Sequence, residues 1–186
     1  MDDALRVIVE MHESLWGRLK NALDDLSEEE RHWRPLPQAN SINAIIRHLR
    51  IEAQWHLDSL ARGAPMPTIA VAAPQEAIDA VPADFEENFK GLEELYSRFV
   101  EMLRTATLET LQQRTAAAYG EARRLTYPLG YHQAIHLAMH CGQIRTIRNL
   151  YCKTRGEPPR FFPENPTYPT EGIPPSPRGA AEQEQA

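Results

Sequence analysis

Apolar residues in this chain recur at steps of three and four through four long stretches, and the prolines fall between those stretches, not within them. That is the pattern of helices with one buried face, because proline is tolerated at helix ends but not in helix interiors. In the first stretch, about Asp2 to Leu26, the stripe is Leu5, Ile8, Val9, His12, Leu15, Trp16, Leu19, Ala22, Leu23 and Leu26. The second, about Ser41 to Ala61, carries Ile42, Ile45, Ile46, Leu49, Trp55 and Leu60, with Ser41 placed as N-cap and Gly63 and Pro65 placed to end it. The third, about Ala83 to Thr105, carries Phe85, Phe89, Leu92, Leu95, Tyr96, Phe99 and Leu103. The fourth runs from about Leu129 to Lys153, with Pro128 suited to a first turn. Ser27 and Glu30 have the spacing of a capping box for a short turn through His32 and Trp33. Strand signal is weak and confined to Tyr119–Tyr127, where Gly120 would allow a turn or short hairpin. Four such helices bury their stripes most economically against one another, so the spacing predicts an all-α four-helix bundle.

Composition narrows the function classes. The chain has 186 residues, enough for one domain with a substantial core. Its 20 Lys+Arg against 26 Asp+Glu leave a net charge of −6, the wrong balance for neutralising phosphates, so no nucleic-acid partner is expected. The acidic runs Asp24–Glu30 and Asp84–Glu94 read as solvated faces. No apolar run approaches the roughly 20 residues that span a bilayer, and Met1-Asp2-Asp3 lacks the features of a signal peptide. Cys141 and Cys152, on one helix, would lie about 16 Å apart, too far for a disulfide. Two free, packed thiols suit a reducing cytoplasm, the expected location. His140 beside Cys141 is no nucleophile–base pair, since helix neighbours point about 100° apart. Eight of the 15 prolines lie between Pro158 and Pro177. The bundle is therefore expected over 1–156 and a Pro-rich extended tail over 157–186. Phe161, Phe162 and Tyr168 would dock that tail to about residue 169, with Arg178–Ala186 disordered.

The histidines carry the chemistry. His132, His136 and His140 repeat at i, i+4 and i+8, and each step drifts only about 40° around a helix, so they form one stripe. An i,i+4 pair can supply two nitrogens to one metal ion, either 132/136 or 136/140. The second helix offers His48 and His56 with Glu52 between them, and His12 and His32 stand elsewhere. Two histidines from one helix and one from a facing helix would make a three-ligand centre with open positions. The plainer reading of His12, His32 and His56 is a hydrogen-bonded core residue or simple exposure. Gln143 is a candidate to hold a ligand imidazole, or else a buried amide between helices. Glu52 is a candidate to orient a ligand or to act as a base, although an exposed or Arg-paired side chain is its plainer reading. Gly142 costs about 1 kcal/mol relative to alanine, which is easiest to understand if another helix approaches there.

The run Asn40-Ser41-Ile42-Asn43-Ala44-Ile45-Ile46-Arg47-His48-Leu49 resembles the second helix of the DinB-like (DNA-damage-inducible) family. His136-Leu137-Ala138-Met139-His140-Cys141-Gly142-Gln143-Ile144 resembles that family's HxxxHxGQI signature, and Phe162-Pro163-Glu164-Asn165-Pro166-Thr167-Tyr168-Pro169 is of a kind seen after its last helix. The resemblance implies a bundle with up-down-down-up helix order. It also implies a divalent metal ion, zinc or nickel, held by His48, His136 and His140. His132 is not part of that triad, and its place is behind the ligands or lining the pocket one turn above the metal. Thiol-dependent enzymes using mycothiol or bacillithiol occur in the family, and members are often homodimers. The reading is thus a metal-dependent enzyme performing thiol transfer or hydrolysis on a small molecule, with Glu52, Gln143 and His132 as catalytic candidates. The alternatives are a non-catalytic metal- or ligand-binding stress-response module, or histidines that only pack.

Overall fold

The computed structural model describes residues 3–62, 83–107, 109, 114–119 and 123–161, with the backbone alone for 114–119 and 123–130. In chain order the elements are α1 (Asp3–Leu23), α2 (Glu28–His32), α3 (Ile42–Arg62), α4 (Phe85–Thr105), β1 (Arg114–Tyr119), β2 (Arg123–Pro128) and α5 (Leu129–Thr154). The four long helices form the bundle. β1 and β2 pair antiparallel from Arg114 opposite Pro128 to Tyr119 opposite Arg123, so the weak strand signal becomes a hairpin.

Local chemistry sets the boundaries. α1 stops three residues short of the expected Leu26, because Asp25 adopts a left-handed backbone with φ of 52°. Ser41 Oγ accepts from Ala44 N at 3.2 Å and starts α3, and Asp84 Oδ1 accepts from Glu87 N at 2.8 Å and starts α4. Gly156, with φ of 71°, turns the chain back after α5, and Glu157 N donates to Cys152 O at 2.9 Å. Ser27 Oγ caps α2 through Glu30 N at 3.2 Å, but the reciprocal half of the capping box is not made. The Glu30 carboxylate instead takes the guanidinium of Arg148 at 2.7 and 3.4 Å. Glu30 is buried, which corrects the reading of Asp24–Glu30 as wholly solvated.

Pairwise contacts fix the helix directions. Between α1 and α4, His12 meets Phe99 and Trp16 meets Phe89, so one number rises as the other falls and the helices are antiparallel. α3 and α5 are antiparallel by the same test, with His48 against His140 and His56 against His132. Between α3 and α4, Asn43 bonds Ala83 O and Arg50 bonds Asn88, so both numbers rise and the helices are parallel. Between α1 and α5, Arg18 O meets Cys141 Sγ and Ala22 O meets Arg148, again parallel. The order is up-down-down-up, and α1 lies beside α4 and α5 while α3 closes the ring between them.

The core between the helices is apolar. Leu19, Ile42, Ile46, Leu49, Leu92, Phe99, Leu103, Leu137 and Ile144 are fully buried or nearly so. Cys141 and Cys152 are buried free thiols, as packing residues would be. Gly142 differs from expectation: a Cβ there would meet nothing within 4 Å, so no helix of the fold approaches it. Of the tail, Phe161 packs against the core. The expected docking of Phe162–Pro169, the expected disorder of Arg178–Ala186 and the expected roles of Gly63, Pro65 and Gly120 lie outside the described residues. Among the described residues no helix is long and apolar enough to cross a membrane.

Arg148 is the polar keystone of this arrangement. It is fully buried, pairs with Glu30 of α2, and donates to the carbonyls of Ala22 and Asp24 at the end of α1 at 2.8 and 2.7 Å. Removing it strands a buried carboxylate and two carbonyls. Arg148→Ala should cost about 3–5 kcal/mol in urea unfolding. Arg104→Ala, which breaks only the exposed pairs with Glu13 and Glu101, should leave the urea midpoint nearly unchanged. Equal losses in the two variants would contradict this ranking.

Candidate metal centre

α3 and α5 face each other along two matching four-residue repeats. Because the helices are antiparallel, His48, Glu52 and His56 of α3 come level with His140, His136 and His132 of α5. The seam they form is the most polar part of the bundle interior.

At one end His48, His136 and His140 converge. His136 Nε2 lies 3.0 Å from His48 Nε2 and 2.9 Å from His140 Nε2. Each residue offers a ring nitrogen, and the three nitrogens lie within 4.8 Å of one another. Among the described residues this is the one His/Cys/Asp/Glu group with such convergence. Of the two pairs the α5 spacing left open, 136/140 joins His48. His140 Nδ1 donates to Gln143 Oε1 at 2.7 Å, which leaves the lone pair of His140 on Nε2, facing the cluster. Gln143 is exposed and bonds an imidazole of its own helix, so it is not an amide bridging helices.

All three imidazoles are held neutral. Burial, reinforced by repulsion from His140, lowers His48 to about 4. Burial and the neighbouring imidazoles lower His136 to about 2. Burial lowers His140 as well, against the bond from Gln143 that raises it. Neutral imidazole is the ligating form. Three such rings cannot satisfy all their inward lone pairs by bonding one another, whereas one shared cation would satisfy them together. This donor set therefore fits a divalent ion that accepts nitrogen ligands.

The middle of the seam is Glu52, which is buried and has no arginine partner among its ion pairs. That overturns the plainer reading of it as exposed or Arg-paired. Its Oε2 lies 3.9 Å from His136 Nδ1 and 4.0 Å from His56 Nδ1. Oε2 and His136 Nδ1 are both buried without a hydrogen bond. Burial raises the Glu52 carboxyl to about 7.

The other end is a histidine pair. His56 is fully buried, lowered to about 3 mainly by that burial, and donates from Nδ1 to the carbonyl of Glu52 at 2.7 Å. A carbonyl can only accept, so His56 Nε2 takes the proton of His132 Nδ1 at 2.9 Å. His132 also stacks on His136 at 6.1 Å between centroids, which puts it one turn from the converging nitrogens and not among them. Sequence reasoning treated His56 as a core residue and missed this pairing. Two i, i+4, i+8 stripes on facing helices carried the signal. His12 bonds Tyr96 at 2.7 Å in the core, and His32 bonds Glu28 at 3.2 Å on the surface, as their plainer readings had it.

A family model described as mycothiol-S-transferase matches residues 7–152, which is most of the chain. Among solved structures, the chain is similar to YfiT from Bacillus subtilis, described as a probable metal-dependent hydrolase with an unusual four-helix bundle topology. The two share 14% identity with a TM-score of 0.60, over 84% of this chain and 90% of that one. It is also similar to the DinB-like protein YjoA from Bacillus subtilis, at 14% identity and a TM-score of 0.54, over 81% of this chain and 92% of that one. At these identities the likeness is one of fold. A comparison with curated proteins finds no match.

The pKa shifts predict a pH profile for protein stripped of metal. Between about 4 and 6.5 for His48, and about 3 and 6.5 for His56, the unfolded chain binds a proton that the folded chain refuses. Stability then rises with pH and is fully regained near 6.5. Glu52 acts in the opposite sense between 4.5 and about 7, where the folded chain holds the extra proton. The histidines outnumber it. The melting temperature should fall as pH drops from 6.5 to 4.5, and Glu52→Gln should steepen the fall; a flat profile would contradict the buried, neutral seam.

Proposed function

We propose that this chain, which belongs to the mycothiol-S-transferase family, is a metal-dependent enzyme transferring a low-molecular-weight thiol of the mycothiol type to a small electrophilic acceptor. The observation that carries the reading is the convergence of three ring nitrogens, from His48, His136 and His140, between two buried helix faces. Those three residues would hold a divalent ion, zinc or nickel. When bound there it supplies a Lewis acid that makes a thiol, or a water, nucleophilic at neutral pH. Water in place of the thiol gives hydrolysis, the reaction class of a probable metal-dependent hydrolase such as YfiT.

The chain's own residues prepare that chemistry. Gln143 Oε1 fixes His140 in the tautomer whose Nε2 faces inward. Glu52 Oε2, within 4 Å of His136 Nδ1, holds or releases a proton there at neutral pH, because burial has brought its carboxyl to about 7. The backbone carbonyl of Glu52 fixes His56, and His56 in turn fixes His132 with its proton on Nδ1. The basic nitrogen of His132 is then Nε2, one turn along α5 from His136. The apolar walls from Leu49, Leu137 and Phe99 exclude water from the inner side of the seam.

Protein purified without an affinity tag should carry one divalent ion per chain. His48→Ala, His136→Ala and His140→Ala should each abolish that ion together with thiol transfer from mycothiol to an electrophile. Gln143→Ala and Glu52→Gln should weaken metal binding by about 10- to 100-fold in calorimetric titration while the fold is kept. Stoichiometric metal persisting in all three histidine variants would overturn the assignment.

A further inference from the structure

The face formed by the parallel helices α1 and α5, around α5 from His136 and His140, is apolar where a solvated face would be charged. The outer line of α5 runs Tyr131, Ile135, Ala138, Met139, Gly142 and Thr146 without a charged residue. Val7, Tyr131 and Met139 are 60, 50 and 55% exposed, and they are three of the five large apolar side chains left exposed among the described residues. Such side chains are ordinary singly, but gathered on one face they mark a contact surface. Beside them a groove of about 320 Å³ opens between Leu15 and Arg18 of α1 and Ala138, Gly142 and Arg145 of α5. Gly142 is open above its Cα, at a cost to the helix that no contact within the described fold offsets.

The charges of α1 say what covers this face. Asp3 pairs with Arg6, Glu13 with Arg104 and Lys20 with Glu93. The two left over, Glu10 and Arg18, are exposed, opposite in sign and make no ion pair among the described residues. Eight residues separate them by about 12 Å along the helix, so they cannot pair with each other. Ser14, exposed, stands midway.

We propose that the α1/α5 face seats a second copy of this chain, packed antiparallel about a twofold axis at Ser14. Reversal about Ser14 brings Glu10 of each copy level with Arg18 of the other, the reciprocal pairing that an isologous contact requires. α5 obeys the same symmetry. Arg18 O meets Cys141 Sγ, which sets Ser14 about level with Leu137 and Ala138. Reversal about Ala138 then places Tyr131 of the second copy level with Arg145, ring against guanidinium. It also places Ile135 of the second copy beside Gly142, in the space that the missing side chain leaves. A parallel pairing would instead crowd Arg18 and Arg145 of both copies at one end. The two-helix face is about 30 Å long and about 20 Å wide. A second copy therefore covers about 600 Å² of each chain, enough for a specific contact. This inference uses neither the metal nor the reaction.

A charge swap in the full-length chain tests this by sedimentation equilibrium at low ionic strength. The wild type should sediment as a dimer of the 21.2 kDa chain. Glu10→Arg and Arg18→Glu each set like charges opposite one another, and each should raise the dimer Kd about tenfold or more. The double variant, Glu10→Arg with Arg18→Glu, restores opposite charges across the axis and should return the Kd to within about threefold of the wild type. Because the two residues are too far apart to pair within one helix, that rescue requires a second, antiparallel copy. A wild type that stays monomeric at about 100 µM would overturn the proposal. So would single variants that dimerise like the wild type, which would place the contact on another face, or a double variant no tighter than the singles.

Discussion

The antiparallel packing of α3 on α5 is the constraint on which the site depends. Each helix repeats polar residues every four positions on the face it turns inward, and opposite directions bring the repeats into register. A slip by one turn would set His48 level with His136 and leave His140 level with Ala44. The surrounding apolar core holds that register, because Leu49 and Leu137, next in the chain to His48 and His136, are buried in it.

Burial then decides the protonation of the seam. Taking imidazoles out of water penalises their charged form, and stacking several together adds mutual repulsion. The result is a set of neutral nitrogen donors at neutral pH. The same desolvation works in the opposite sense on Glu52, whose carboxyl it raises to about 7 beside His136. A single low-dielectric environment thus yields both neutral imidazoles and a carboxyl raised toward neutral pH. Arg148 shows the other way of burying polarity: full pairing with Glu30 and two carbonyls, with no group left to exchange. The seam keeps two buried atoms without a hydrogen bond, Glu52 Oε2 and His136 Nδ1, which lie 3.9 Å apart.

Much of this was legible in the sequence because it depends on local periodicity. The four apolar stripes predicted the four long helices to within a few residues, and Ser41 marked the start of α3 where the structure has it. The four-residue spacing on α5 offered 132/136 or 136/140, and the family resemblance selected 136/140 together with His48. What periodicity could not carry was long-range pairing. Nothing near Glu30 announces that Arg148, 118 residues away, will take its carboxylate and break the capping box. Glu52 read as an ordinary helical glutamate until α5 covered it. His56 lacked a reason to be more than core until His132 arrived opposite. Gly142 was misread because its space opens outward to a groove, not inward to a helix.

The central claim is that His48, His136 and His140 together hold one divalent ion, and X-ray absorption at the metal edge of the loaded, untagged protein tests it most directly. The account predicts three imidazole nitrogens at about 2.0–2.1 Å with the ring scattering of histidine and no sulfur from the protein. A spectrum showing sulfur at about 2.3 Å that persists without added thiol, or fewer than two imidazoles, would contradict it.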